Sequence, residues 1–482
     1  MKRLLAISFF ASQLSLQSAP LFNMAKILNA STLEVKILKD WHVVRGEVST
    51  RQKLITIRVG ELLPGKGYRV PVRMIVPANR KAKGFHLTGG HNPAQFRQDL
   101  QPRGVDQALL AGGVGLVQTV VQGLQVSGQG ELGRLADRRF VETLNPHYSI
   151  QYWGWPATLM RATTAAYAEK NHFEKGKIAA SGGSKNGASP SVALIEDKRL
   201  SALHASVSPI WDSPLRLCDR KAWGELRKAN EVYGAKLRSR GEQVNSERIM
   251  NHFFLGGTFG PVYNRQALAA GKKWEDLQKI AGEMAGHVFI SRHLKALRER
   301  NVDLLFHPGT HDFVAFDLAW GGKNHSQIPI YLKANSGHGV REPHPAAERD
   351  EQNKSAFLLH HFFGGEGLLP PPTVESKADQ DKVQITVTFP KGAKAESGRI
   401  WWMHDRGPDG SAAYIAELFP KEQAAPMKYN PAQNSWSVTL ALKPEAKHID
   451  FFSNHRKVIR RGGRAYNTYI SSPYTRLPLR NK

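Results

Sequence analysis

The sequence predicts an α/β chain: a mostly parallel sheet flanked by helices, interrupted by a helical insertion and followed by a β-sandwich module. Three observations predict it. Short apolar runs alternate with stretches of helical spacing over residues 84–208. That rhythm breaks at 213–300, which is rich in Lys, Arg, Glu and Ala. Beyond Gly364-Gly365-Glu366-Gly367 and Pro370-Pro371-Pro372 only strand-like spacing remains.

The elements follow in order. Residues 32–60 alternate apolar and polar positions, as in Leu54-Ile55-Thr56-Ile57-Arg58-Val59, and read as strand. A second strand at 72–76 leaves through Pro77-Ala78-Asn79, and a third at 84–88 runs into Gly89-Gly90-His91-Asn92-Pro93. The β-branched run at 114–121 reads as a buried strand. Trp155-Pro156 opens a helix that continues to about residue 171, with proline where its missing N–H costs little. Strand 177–181, helix 186–196 and strand 202–208 follow. Strands resume at 302–307 and 328–334, and a long helix is expected over 345–363. Past the linker, strands are expected at 383–389, 399–403, 436–442 and 448–452, spaced as in a small sandwich. No internal repeat is present.

Composition bounds the partners. With 482 residues and 41% apolar residues, the chain can bury a large core. Lys and Arg number 67 against 41 Asp and Glu, a net charge of +26. Such a surface attracts polyanions, acidic polysaccharide or an anionic membrane surface among them. No zinc-finger spacing, RNP-type strand or continuous basic helix selects nucleic acid, so no nucleic-acid partner is expected. The single cysteine, Cys218, excludes an intrachain disulfide and reads as a packed thiol. Lys2 and Arg3, the apolar run over 4–11 and Ser18-Ala19 read as an export leader over 1–19, placing the protein in the periplasm or outside the cell. No segment is long and apolar enough to be a predicted transmembrane helix.

The chemistry concentrates in Ser181-Gly182-Gly183-Ser184-Lys185-Asn186-Gly187. A predicted strand enters Gly-x-Ser-x-x-Gly and a predicted helix leaves it. In the nucleophile elbow of the α/β-hydrolase fold the last glycine falls one residue earlier. The mechanics still hold, because small neighbours let the serine adopt a strained backbone and the helix N-terminus points N–H groups at an oxyanion. Ser184 is therefore the expected nucleophile. Its base should come from the loop past the last strand, where Asn335-Ser336-Gly337-His338-Gly339 supplies His338. The acid is expected after the preceding strand, with Asp312 first and Asp317 and Asp212 as alternatives. Thr88-Gly89-Gly90-His91 is the expected oxyanion loop, with Gly90 and His91 near the substrate and the Lys185 amide as second donor. The Lys185 side chain could hold an anionic group or face solvent, and Trp153-Gly154-Trp155 could line a pocket or belong to the core. His91, His204 and His311 lack zinc-site spacing, and neither metal nor cofactor is expected.

The block Trp155-Pro156-Ala157-Thr158-Leu159-Met160-Arg161-Ala162, with Ser181 to Gly187 and the later Asp312-Phe313 and Asp317, resembles the PhoPQ-activated pathogenicity-related proteins. In that family a Trp-Pro helix precedes a Gly-Ala-Ser-Lys-Arg-Gly elbow. Here Gly183 stands for the alanine and Asn186 for the arginine, and the acid loop is one residue shorter, leaving Asp312 and Asp317 both open. The resemblance implies an exported chain of α/β-hydrolase fold with a β-rich C-terminal module. The segment Gly182 to Gly187 is also similar to the Gly-Cys-Ser-Arg-Asn-Gly elbow of glucuronoyl esterases, with Lys185 in place of arginine. That second resemblance implies a carbohydrate esterase acting on uronic-acid esters.

The expected organisation is thus a leader over 1–19, an α/β-hydrolase domain over 20–366 with a helical lid at 213–300, and a β-sandwich over 373–482. The expected activity is serine-dependent cleavage of an ester, ahead of an amide, in a small-molecule or glycan substrate, with an anionic substrate as one option. The alternative is a non-catalytic polyanion- or glycan-binding protein on the same scaffold.

Overall fold

The computed structural model describes residues 20–123, 129–206, 209–241, 264–312, 316–337, 343–407 and 417–479; the expected leader and His338 lie outside the described residues. Eight strands form one sheet in the order β1-β2-β3-β5-β4-β6-β7-β8. They are β1 (Lys36–Val44), β2 (Thr50–Leu63), β3 (Lys66–Pro77), β4 (Ala82–Thr88), β5 (Gly115–Thr119), β6 (Phe173–Gly183), β7 (Ala202–Ser206) and β8 (Asp303–His307). Pairings from β1 through β3 to β5 are antiparallel; β5, β4, β6, β7 and β8 run parallel.

The parallel half is covered on both faces, which explains its nearly continuous apolar runs. Phe85, Leu87, Ile178, Ala180, Leu203 and Phe306 enter the core shared with the helices Trp155–Ala168, Lys185–Glu196 and Trp274–Val288. Leu116, Ala179, Ala202 and Leu305 alternate to the opposite face, under Gly104–Ala111 and Asn353–Phe363. The chain has an α/β-hydrolase fold with a C-terminal pair of antiparallel sheets.

Those sheets are β13-β14-β10-β9 and β12-β11-β15-β16, with β17 added on β15. Their strands are β9 (Thr373–Ala378), β10 (Lys382–Thr388), β11 (Ser397–His404), β12 (Ala424–Pro426), β13 (Lys428–Asn430), β14 (Ser435–Ala441), β15 (His448–Arg461), β16 (Arg464–Ser471) and β17 (Thr475–Pro478). Val383, Ile385 and Val387 meet Ile400, Trp436, Ile449 and Phe451 between the sheets. Trp401, Phe452 and Tyr474 belong instead to the main core of the α/β domain. The module therefore shares its hydrophobic interior with the sheet-and-helix body.

Two sequence-predicted elements are corrected. The strand expected at 328–334 forms only parallel bridges, Phe306 with Ile330 and Gly309 with Lys333. Pro329 has no N–H to give a ladder, and the far side is claimed by the C-terminal module: Ser471 N–H donates to the Ile330 carbonyl (2.8 Å) and Leu332 N–H to the Ser471 hydroxyl (2.6 Å). The helix expected from 345 begins only at Asn353. Upstream, polar side chains grip that module: Asp350 accepts from Asn467 Nδ2 and the Tyr469 hydroxyl, and Glu348 accepts from Asn454 Nδ2. In the expected lid, the described residues are mostly helical, but Trp274–Val288 buries Leu277, Ile280, Ala281, Met284, Ala285 and Val288. That helix is part of the body. No helix among the described residues is long and apolar enough to cross a membrane.

Two buried histidines set an acid limit on stability. Burial first, then the charges of His307 and Lys354, push His204 down to about 3; burial pushes His455 down to about 3. Both are neutral in the folded chain at neutral pH, whereas the unfolded chain protonates them near pH ~6.5. Between those values the unfolded state binds more protons. Stability is thus complete above pH ~6.5 and is lost as pH falls toward ~3, by at most about 1.4 kcal/mol per pH unit per histidine. Urea midpoints are expected to drop between neutral and mildly acidic pH, and to drop less in His455→Gln. An equally steep fall in the variant would contradict this origin.

Candidate active site

Where β6 ends, the backbone turns sharply into the helix Lys185–Glu196. Ser184 sits at the turn with φ +54° and ψ −126°, a conformation L side chains rarely adopt. Such strain costs about 1–3 kcal/mol and persists only when neighbours enforce it. Here they do. Ser184 N–H donates to the Ser206 carbonyl of β7 (2.9 Å), and the Ser184 carbonyl accepts from Gly187 and Ala188 N–H (both 2.9 Å). A Cβ at Gly182 would fall inside the Asn186 carbonyl group, and one at Gly187 would lie 2.9 Å from the Gly182 oxygen. Pro190 lies inside the helix and has no N–H, so it cannot bond the Asn186 carbonyl four residues back, on which Gly182 packs.

The Ser184 side chain is half-buried, and among the described residues its hydroxyl has no hydrogen-bond partner. Behind it, Lys185 and Asn186 contribute the first N–H groups of the helix, which lack intrahelical acceptors and carry its positive end. The Lys185 side chain is half-buried.

The loop after β4 lies beside this turn. Gly90 makes an antiparallel bridge with Val120, and Val121 N–H donates to the Gly89 carbonyl (3.0 Å). A Cβ at Gly90 would lie 3.3 Å from Asn186 Nδ2, so the two expected oxyanion elements adjoin. Asn186 Oδ1 is buried with no partner among the described residues. His91 Nε2 lies 2.8 Å from the Thr88 hydroxyl. Burial, then the Arg73 charge, pushes His91 down to about 4, so its imidazole is neutral at neutral pH.

The acid candidates separate. Asp312 is 0% exposed on the loop after β8. That loop is bonded to the segment leading to His338: Thr310 N–H donates to the Lys333 carbonyl (3.0 Å) and His311 N–H to the Ser336 carbonyl (2.9 Å). A Cβ at Gly337 would lie 2.8 Å from Asp312 Cα, so the residue preceding His338 rests on the Asp312 backbone. Asp317 is committed elsewhere. Arg216 contacts both its oxygens, Nε to Oδ2 at 3.0 Å and Nη2 to Oδ1 at 3.2 Å, and the Ser213 hydroxyl donates at 2.8 Å. Arg216 is itself buried over Phe316. Asp212 accepts from Ser291 Oγ (2.7 Å) and Arg292 Nε (2.8 Å). Burial would raise its carboxyl, but those two donors hold it below the usual range.

Two other expectations resolve by burial. Trp155, considered for a pocket, is 1% exposed and lies in the main core. A large indole at the start of a helix that packs on the sheet is drawn inward by its own apolar area. Cys218 is buried, and burial pushes its thiol up, as a packed cysteine requires.

One constellation escaped the sequence reading. His86 Nε2 lies 2.7 Å from Ser181 Oγ, and His86 Nδ1 lies 3.2 Å from Asp106 Oδ1. Burial would raise the Asp106 carboxyl, but His86 holds it low. Ser181 and His86 are buried inside the sheet's other face, and Ser181 is not among the residues with positive φ. The set joins β4, β6 and the helix Gly104–Ala111 as a polar bridge, buried at Ser181 and His86 and partly exposed at Asp106. Its residues lie 20 and 95 positions apart, too far for a motif.

A cavity of about 690 Å³ opens away from the elbow, among β1, β2, β3 and the 93–99 loop, with Lys36, Arg73, Phe96, Arg97 and Asp99 in its lining. Among the described residues no group of three or more His, Cys, Asp or Glu could hold a metal ion.

No protein-family model and no curated protein matches the chain. Solved structures do. A CE15 glucuronoyl esterase from Teredinibacter turnerae T7901 matches 58% of this chain and 61% of its own, at 14% identity and a TM-score of 0.33. A promiscuous CE15 esterase from a marine bacterial metagenome matches 37% and 52%, at 15% identity and 0.27. Acetyl xylan esterase 1 from Thermoanaerobacterium sp. JW/SL YS485 matches 67% and 88%, at 14% identity and 0.34. The chain spans less than two thirds of the length of the first two. The strand order and the turn after β6 define the fold.

Proposed function

We propose that this chain is an exported serine hydrolase that cleaves a carboxylic ester, of a small molecule or a glycan, through Ser184. The observation that carries the reading is the strained Ser184 backbone, held at a strand-to-helix turn beside the Gly90 loop. In this reading Ser184 Oγ attacks the ester carbonyl carbon while His338 takes its proton. Asp312 orients the imidazole and stabilises the imidazolium. The N–H groups of Lys185 and of the Gly90-His91 loop receive the oxyanion. Collapse of the tetrahedral intermediate breaks the ester C–O bond, and His338 returns the proton to the leaving alcohol. Water, deprotonated by His338, then attacks the acyl-enzyme and frees Ser184. Export rests on residues 1–19; one residue further on, Leu21 and Phe22 already pack in the core.

A fluorophosphonate probe tests the nucleophile. Wild-type protein is expected to label, Ser184→Ala not at all, and Ser181→Ala normally, although Ser181 also has a His–Asp pair behind it. Ester turnover should fall about 10⁴-fold or more in Ser184→Ala. Labelling that survives in Ser184→Ala and vanishes in Ser181→Ala would move the chemistry to the buried set.

A further inference from the structure

The loops bearing the proposed acid and base are held from outside the α/β domain. Thr310 stands two residues before Asp312, and Asn335 three before His338. Asn335 N–H donates to Thr310 Oγ1 (2.9 Å), tying the loops together. Each is then gripped by the C-terminal module. Arg406 Nη2 donates to the Thr310 carbonyl (2.6 Å). The Asn335 side chain pairs reciprocally with the backbone of Phe419: Nδ2 donates to the Phe419 carbonyl and Phe419 N–H to Oδ1, both at 2.8 Å.

The grip is rigid by construction. Arg406 is 2% exposed, and two further donors bond within the module: Nε to the Glu417 carbonyl (3.0 Å) and Nη1 to the Tyr474 hydroxyl (2.8 Å). Its guanidinium lies over the Phe419 ring at 4.7 Å. The Tyr474 hydroxyl donates in turn to Asp450 (2.9 Å), which Arg476 holds. Asn335 has φ +54°, a backbone that its side-chain pairing stabilises. A little further along the base segment, His344 Nε2 lies 2.9 Å from the Pro420 carbonyl, and its Nδ1 accepts from Ala346 N–H (3.1 Å) and Trp401 Nε1 (3.3 Å).

Two separate loops must hold acid and base in register to a fraction of an ångström for general-base catalysis, and a misplacement near 1 Å can cost about 10²-fold. Neither loop lies in a regular element. The buried, charge-assisted bond from Arg406 and the buried Asn335–Phe419 amide pair supply that rigidity.

From this geometry we infer that Arg406 and Asn335 are positioning residues of the hydrolase site, and that the C-terminal module is a working part of the catalytic centre. The inference rests on the Ser184–His338–Asp312 reading proposed above.

The experiment uses the full chain. Ester turnover is measured per active site, counted by fluorophosphonate burst titration, across pH 5–9 in wild type, Arg406→Ala, Arg406→Lys and Asn335→Gly. Glycine keeps the left-handed backbone and deletes only the amide pair. Arg406→Ala and Asn335→Gly are expected to lower kcat about 10²-fold with KM within about twofold, and to shift the acidic limb of the pH profile. Arg406→Lys should recover at least about tenfold, since an ammonium still reaches a carbonyl. Circular dichroism reports folding. Folded variants with wild-type kcat and pH profile overturn the inference, and so does loss of folding in all three, which would make the contacts structural staples. If wild type itself fails to label at Ser184, it is the hydrolase reading that falls.

Discussion

Asp312→Asn is expected to lower kcat about 10⁴-fold in a protein that still folds and still takes up a fluorophosphonate slowly. An amide in place of the carboxylate can hold the imidazole in the wrong tautomer and cannot stabilise the imidazolium, and that is the usual size of the loss. The neighbouring Asp317 is expected to behave in the opposite way. Its carboxylate is the counter-ion of Arg216, and both side chains are essentially without solvent. Asp317→Asn leaves that guanidinium buried without its charge partner, which costs about 3–5 kcal/mol of stability. Activity per folded molecule should stay within about tenfold. Paired urea unfolding and active-site-titrated kinetics separate the two. A 10⁴-fold loss in Asp317→Asn with an active Asp312→Asn would transfer the acid role to Asp317.

Gly182→Ala is expected to abolish the site, and Gly183→Ala to leave it intact. The added methyl at 182 would fall inside the Asn186 carbonyl group. Both groups are backbone, one in a central strand and one in the first turn of the helix, so neither yields cheaply. Either the turn opens and Ser184 leaves its strained backbone, or the chain fails to fold. The reading is a loss of probe labelling of at least about 10²-fold, or of soluble protein. At Gly183 a Cβ meets only Ser206, at 3.7 Å, an ordinary contact. Its φ lies outside the left-handed region. Gly183→Ala should therefore be neutral or stabilising by about 0.4–1 kcal/mol through the unfolded chain. Retained labelling in Gly182→Ala would remove the steric account of the turn.

The same contacts explain the displaced glycine of the motif. The third residue after the serine, Gly187, packs against the Gly182 and Ser206 carbonyls. Asn186 takes the position one residue earlier, where its side chain faces the Gly90 loop. The requirement for a small residue is met at the contact, not at a fixed count.

Much of the fold was legible because its determinants are local. The runs at 84–88, 177–181, 202–208 and 302–307 became β4, β6, β7 and β8, each shifted by a few residues at most. The segments at 328–334 and 345–352 were misread for a shared reason. Their apolar spacing satisfies strand and helix templates, but their hydrogen-bonding groups are taken by Ser471, Asn454, Asn467 and Tyr469, more than 100 residues away. No window along the chain contains that competition.

By itself, the sequence determined the alternation of the sheet, the β-rich C-terminus and the sharp turn at Ser184, since periodicity and the need for small residues beside a strained one are properties of neighbours in the chain. Only the tertiary structure decided which carboxylates are locked in ion pairs, that Trp155 is interior, and that the C-terminal sheets share the body's core and clasp the 310 and 335 loops. Those outcomes turn on partners such as Arg216 with Asp317 and Arg406 with Thr310, 101 and 96 residues apart. A side chain's partner across such a separation is chosen by packing in three dimensions, which leaves no spacing in the sequence to read.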